Sequence, residues 1–196
     1  MDTSGSMGEH RLQKKYKTDQ RARAFYKNQT LDHLNARMCD FIGRQEMVFL
    51  ATADAQGHCD SSFRAGPRGL VQVLSEKVLA YPEYRGNGVM ASLANITENP
   101  HIGLFFADFF ESTIGLHING RAKIAEKTES ERHGLPQGDS SVKPAPERWV
   151  LVEVEEAYIH CSKHVPLLRK CDKPIHWGTD DPNHKGGDYF GTKKPP

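Results

Sequence analysis

The sequence predicts a mainly β protein with flanking helices, folded as a small antiparallel barrel. Thr113–Ile124 alternates apolar and polar residues with a period of two. The other strands follow at close spacing, in pairs joined by short turn signals. A single helical segment interrupts them, between the fourth and fifth strands, whereas a parallel sheet needs a crossover after every strand. With 196 residues, the chain suits one domain with a sizeable core.

The elements follow in order. Residues 1–18 are polar and read as a flexible leader; the main domain is expected over 19–168. Asp19 to Arg44 is helical in pattern, with Phe25, Leu31, Leu34, Met38, Phe41 and Ile42 on an interrupted apolar face. Met47–Ala53 is a continuous apolar run and predicts a buried strand. Asp54-Ala55-Gln56-Gly57 turns the chain, and His58–Arg64 returns. After Gly66-Pro67-Arg68-Gly69, Leu70–Leu74 and Val78–Tyr81 form a second hairpin. His101–Ala107 is a short apolar strand. In Thr113–Ile124, Gly120 falls on the apolar line, so its missing side chain predicts a bend or a close neighbour. Gly134–Glu147 is a proline-containing loop. Arg148–His160 is the last strand, and its apolar parity changes across Glu155-Glu156 as a bulge requires. A short helix begins near Lys163. The tail, 169–196, is expected to be ordered, because Trp177, Tyr189 and Phe190 are costly to leave in water.

Composition narrows the function. Lys plus Arg is 26 against 25 for Asp plus Glu, a net charge of +1. That balance argues against a nucleic-acid or membrane-surface binder. No apolar run reaches the roughly 18 residues that span a bilayer, and the N-terminus has no secretory apolar core, so a cytoplasmic location is expected. The four cysteines form no CxxC pair, and the ten histidines show no ligand spacing. No metal is expected; His160, Cys161 and His164 come nearest to a cluster. Cys161 reads as a small buried hydrophobe, and His117 as solvent-facing.

Leu79–Pro100 is the most informative stretch. A strand runs into Arg85-Gly86-Asn87-Gly88, and a helix is expected to open at once, with Val89, Leu93 and Ile96 on its buried side and Asn99-Pro100 as its stop. Such a turn leaves backbone N–H groups facing an anion, with Asn87 as cap or donor and Arg85 as a guanidinium fork. Neither GxxxxGK[ST] nor GxGxxG is present. A phosphate cradle and an ordinary tight turn with a solvated arginine both fit.

Four stretches occur in a recognisable order: FLATADAQGHCDSSFRAG (49–66), LAYPEYRGNGVMASLANITENPHIGLFF (79–106), GLHINGRAKI (115–124) and YIHCSKH (158–164). Together they resemble the flavin-binding proteins related to pyridoxamine 5′-phosphate oxidase, in the predicted flavin-nucleotide-binding branch, over Asp19 to Leu168. The resemblance implies a six-stranded Greek-key split β-barrel that forms a homodimer, with flavin mononucleotide (FMN) held in clefts between subunits. It puts Ser62 and Arg64 at the ribityl phosphate, with Arg85, Asn87, Gly88 and Ser92 completing that end. Tyr81 and Pro82 match the strand end along the ring, and Thr113 and Gly115 the pyrimidine edge. The implied activity is an FMN-dependent oxidoreductase on a small organic substrate. A flavin-binding carrier without turnover is the alternative, as is a split barrel that uses deazaflavin or haem. Catalytic residues are not indicated, since a flavin carries the chemistry itself. The oxidase's Arg/Lys-rich phosphate cluster and its C-terminal Arg and His pair have no counterpart, so pyridoxamine phosphate is not indicated as substrate.

Overall fold

Three helices lead into the sheet in a computed structural model that describes residues 4–136, 146–176, 178–179, 181–185 and 187–192. They are α1 (Met7–Tyr16), α2 (Asp19–Gln29) and α3 (Ala36–Gly43), with a two-residue strand β1 (Thr30–Leu31) between the last two. The expected leader therefore contains a helix. A capping box starts it: the Ser6 hydroxyl accepts from the Glu9 N–H while Glu9 reaches back to the Ser6 N–H. The single expected helix over 19–44 is two helices, because β1 pairs with the last strand and Asn35 then caps α3 by accepting from the Met38 N–H at 3.0 Å.

The strands are β2 (Met47–Ala53), β3 (Cys59–Ala65), β4 (Gln72–Ser75), β5 (Val78–Glu83), β6 (His101–Ala107), β7 (Gly115–Ile124) and β8 (Arg148–His160), with α4 (Ala91–Glu98) and α5 (Lys127–Arg132) between them. All pair antiparallel in the order β3-β2-β6-β7-β8-β5-β4, and β1 adds to β8. The sheet has eight strands where six were expected. The helix lies between the fourth and fifth strands of the main series, as expected.

Register assigns each residue a face. Leu50, Leu104, Ile118 and Ala157 stand opposite one another across β2, β6, β7 and β8, and all are buried. This inner face, closed by Phe41 and Ile42 of α3 and by Leu93 and Ile96 of α4, is the barrel core. A second small cluster, Ala80, Leu135, Trp149 and Leu151, covers part of the other side of β5 and β8.

The expected bulge is present. Asn119 pairs with Glu156 but Gly120 pairs with Val154, so Glu155 is the extra residue. Gly120 is required there, because a Cβ would run into the Glu153 carbonyl oxygen. Gly120→Ala is expected to cost about 1–3 kcal/mol, the usual range for overpacking a tight site. Urea unfolding measures it, with Gly43→Ala, where a Cβ would meet nothing within 4 Å, as the control for ordinary glycine loss.

Candidate functional site

The inner face changes character at β3. Val48, Leu50 and Thr52 of β2 are buried, and they stand opposite Arg64, Ser62 and Asp60. A polar row of β3 therefore faces the barrel interior. The first turn of α4 brings Ser92 to it. The Ser62 and Ser92 hydroxyls lie 2.9 Å apart, and each is 3.0 Å from the same Asp60 oxygen, Oδ2. Asn95 of α4 extends the network, donating to the buried Thr52 hydroxyl at 3.0 Å.

Arg64 lies two residues further along the same face. Its Nε and Nη2 donate to Glu83 Oε1 at 3.1 and 2.8 Å, and Nη1 donates to the Phe63 carbonyl at 3.1 Å. Both partners are largely buried, with side chains 21% and 10% exposed. This pair joins β3 to the end of β5, on opposite wings of the sheet. Asp60 and Glu83 are the functional neighbours that motif reading missed. The available signal was the polar period Asp60, Ser62, Arg64 in a strand following a purely apolar one.

The remaining expected residues are placed as follows. Tyr81 and Pro82 are buried on β5, and the Tyr81 side chain lies wholly in the core. Its hydroxyl is buried without a hydrogen-bond partner, and burial first, then the Glu83 charge, pushes its ionisation far up. A ligand would meet the backbone of Tyr81, not its ring. Arg85, Asn87 and Gly88 are exposed on the loop before α4. The helix does not open at Asn87-Gly88: it starts at Ala91 behind Met90, which takes φ 58° and provides no side-chain cap. The Asn87 Oδ1 accepts instead from the Val89 N–H at 3.0 Å, making a local turn, and Val89 is 71% exposed and not part of the core. Gly88 does need its glycine, at φ +82°. The tail returns to this loop, and a Cβ on Gly178 would lie 3.6 Å from that of Tyr84. Trp177 lies outside the described residues, and Tyr189 and Phe190 are 85% and 86% exposed.

Thr113 and Gly115 are elsewhere: Gly115 opens β7 on its outer face, and Thr113, two residues before it, takes φ 56°. Asp108 builds the turn before them by accepting from the Phe110, Glu111 and Ser112 N–H groups and the Ser112 hydroxyl. Burial alone would raise its carboxyl, but those bonds bring it down to about 2. Gly115 is packed so closely that a Cβ would lie 2.8 Å from the His160 Cβ. The chain thus brings Ser62, Arg64 and Ser92 together and leaves Gly115, with Thr113 before it, away from them.

That outer face carries a row of rings. Phe63, Phe49, Phe105, His117 and Tyr158 are successive cross-strand partners, with centroid separations of 5.2, 6.3, 4.7 and 4.8 Å. His117 is thus not solvent-facing; it stacks between Phe105 and Tyr158, and its Nε2 meets His160 Nδ1 at 3.0 Å. Cys161 is exposed, not buried. Among the described residues no three His, Cys, Asp or Glu converge as metal ligands, and no helix is long and apolar enough to cross a membrane.

The sequence matches the family model described as pyridoxamine 5′-phosphate oxidase over residues 34–161, well over half the chain. The chain belongs to that family. The matched segment runs from just before α3 to the end of β8 and includes every residue of the polar row. Several solved structures are similar to this chain. HupZ of group A Streptococcus is 22% identical, covering 64% of this chain and 93% of that one, with a TM-score of 0.48. An FAD binding protein of Mycobacterium smegmatis is 12% identical over 65% of this chain and 97% of that one, with a TM-score of 0.43. HutZ, the heme storage protein of Vibrio cholerae, is 15% identical over 64% and 94%, with a TM-score of 0.41. No relative is found among curated proteins.

Two outcomes follow from this geometry. Arg64→Ala leaves Glu83 buried and unpaired, and is expected to lower stability by about 3 kcal/mol, measured by denaturant unfolding. Burial first, and His160 second, hold the His117 imidazole below its ordinary value of 6.5. The unfolded chain therefore takes up the proton more readily, so His117 weakens the fold as pH falls below about 6.5 and leaves it unaffected above. The unfolding midpoint between pH 8 and pH 5 should flatten in His117→Gln.

Proposed function

We propose that this family member binds FMN, with its phosphate at the β3–α4 row, and uses it as a homodimeric oxidoreductase on a small organic substrate. One observation carries the reading: the hydroxyls of Ser62 and Ser92, from a strand and a helix start, already converge on a single anionic oxygen. Beside them stand Arg64, with three of its five N–H donors engaged, and the uncapped first turn of α4. Hydroxyls, a guanidinium and free helical N–H groups are the donor set that a phosphate monoester requires.

Each residue has a distinct task. Ser62 and Ser92 exchange the Asp60 carboxylate for phosphate oxygens. Glu83 holds the Arg64 fork in place, and Arg85 and Asn87 close over the phosphate from the loop. A bound flavin would supply the electron transfer itself, and the protein binds, orients and shields it. Thr113 and Gly115 lie away from the polar row, so in this reading they serve the pyrimidine edge of a flavin held against the partner subunit. The partner covers the row from Phe63 to His117, an aromatic surface suited to a two-fold interface.

Binding is tested with FMN and riboflavin side by side. Arg85→Ala should weaken FMN binding by about 1.5–3 kcal/mol, the range for hydrogen bonds to charged groups, and leave riboflavin nearly unchanged. Asp60→Asn should strengthen FMN, and only FMN, by about tenfold, because it removes a like charge beside the phosphate. Equal effects on both ligands would overturn the phosphate assignment. The absorbance of the purified protein separates flavin from deazaflavin and haem. Reduction of the bound flavin by NADH or NADPH, followed by reoxidation, separates an enzyme from a carrier. Sedimentation showing a monomer that still binds FMN tightly would remove the dimer.

A further inference from the structure

Outside the family-matched segment, α1 and α2 build a second concavity that the flavin reading does not use. With β1, β7 and β8 they wall a cleft of about 720 Å³, within the roughly 300–1,000 Å³ typical of small-molecule sites. Tyr26 ties the two helices together: Gln13 Nε2 donates to its hydroxyl at 2.8 Å, and the hydroxyl donates to Glu9 Oε1 at 3.0 Å. Gly5 makes room for that arrangement, since a Cβ there would lie 2.5 Å from the Tyr26 hydroxyl oxygen. Phe25 docks α2 on the sheet, edge-on to Tyr158 at 5.9 Å.

Two carboxylates line the cleft, and both are held by neutral donors. Glu9 accepts from the Ser6 N–H and from Tyr26, and Glu156 accepts from Asn119 Nδ2 at 2.9 Å. Neither forms an ion pair with a Lys or Arg among the described residues. Their field reaches the rings: after burial, which acts first, the charges of Glu9 and Glu156 raise both Tyr26 and Tyr158. A third lining residue, Thr30, has a hydroxyl that is buried without any hydrogen-bond partner. Buried polar groups are rarely left unsatisfied.

The geometry points to a binding site for a small organic cation, a protonated amine on a planar apolar body, with the ammonium drawn to Glu9 and Glu156 and the body against Phe25 and Tyr158. Carboxylates without cationic partners give the charge-assisted bonds, and ring faces add attraction to the same charge. Arg21, exposed and lining the same cleft, disfavours a second positive charge, so a monocation fits better than a polyamine.

The test uses the full chain and 2-phenylethylammonium as the probe, with 2-phenylethanol and phenylacetate as its uncharged and anionic counterparts, in titration calorimetry at neutral pH. The ammonium should bind saturably, one per chain, and phenylacetate not at all. Glu9→Gln and Glu156→Gln keep the shape and remove the charge, so each should weaken the ammonium by about tenfold or more, the loss expected for one charge-assisted bond. FMN affinity should stay unchanged in both, which separates this site from the flavin reading, and circular dichroism should show both variants folded. Absence of saturable ammonium binding, equal binding of the alcohol, or full affinity in the Glu9→Gln/Glu156→Gln double variant would each overturn the assignment.

Discussion

The inward polar row of β3 is the constraint around which the rest of the structure is arranged. A closed apolar barrel cannot contain Asp60, Ser62 and Arg64, because each unsatisfied polar group buried there costs several kcal/mol. The sheet therefore stays open between its two wings, and the gap is filled by groups that satisfy the row. Glu83 comes from β5, Ser92 and Asn95 from α4. Helix α4 has to sit at this point because its apolar side, Leu93 and Ile96, completes the core while its first turn meets β3. A structural need of the barrel and a donor set for an anion are thus met by the same residues. The exposed loop from Arg85 to Met90 follows from this, since the chain must cross from the end of β5 to the start of α4 above the polar row.

The two faces of the same strands do different work. On β2, β6 and β7 the inner line is Leu50, Leu104 and Ile118, which only packs. The outer line is Phe49, Phe105 and His117, a stacked and partly exposed surface. Aromatic pairs of this kind contribute about 0.5–1.5 kcal/mol each beyond burial, enough to order the rings while leaving them available to a partner. His117 is the member of the row that titrates nearest neutral pH. Its position between two rings explains why protonation there is unfavourable.

Much of this was legible in the sequence, and the failures share a physical cause. Period-two alternation in Thr113–Ile124, the apolar run Met47–Ala53, the glycine at 120 and the parity change at Glu155 are local patterns, and each has its structural counterpart. The start of α4 was misplaced by a few residues because Asn87 satisfies the Val89 N–H itself, so the cap signal belongs to a turn and not to a helix. His117 was read as solvent-facing because alternation reports which face a residue takes, not what covers that face. Asp60 and Glu83 were missed because their importance depends on groups 19 to 32 residues apart along the chain, a separation that no motif encodes. Cys161, which ends an apolar strand, was expected inside. Ile159, two residues before it, is already 41% exposed, so β8 runs past the end of the core before Cys161.

The bulge at Glu155 links the barrel to the cleft under the N-terminal helices. Before it, Val150, Val152 and Val154 point inward; after it, the inward residue is Ala157. One inserted residue therefore rotates Glu156 and Tyr158 to the outer face, where Asn119 and Phe25 receive them. Without that rotation, Glu156 would enter the core as an unpaired charge and Tyr158 would be lost from the ring row. Gly120 has no side chain at the position where the bulged backbone comes closest, and this is what permits the rotation. Barrel packing, the outer aromatic row and the acidic cleft all depend on the same irregularity, so β8 carries a continuous apolar line through thirteen residues only by changing face once.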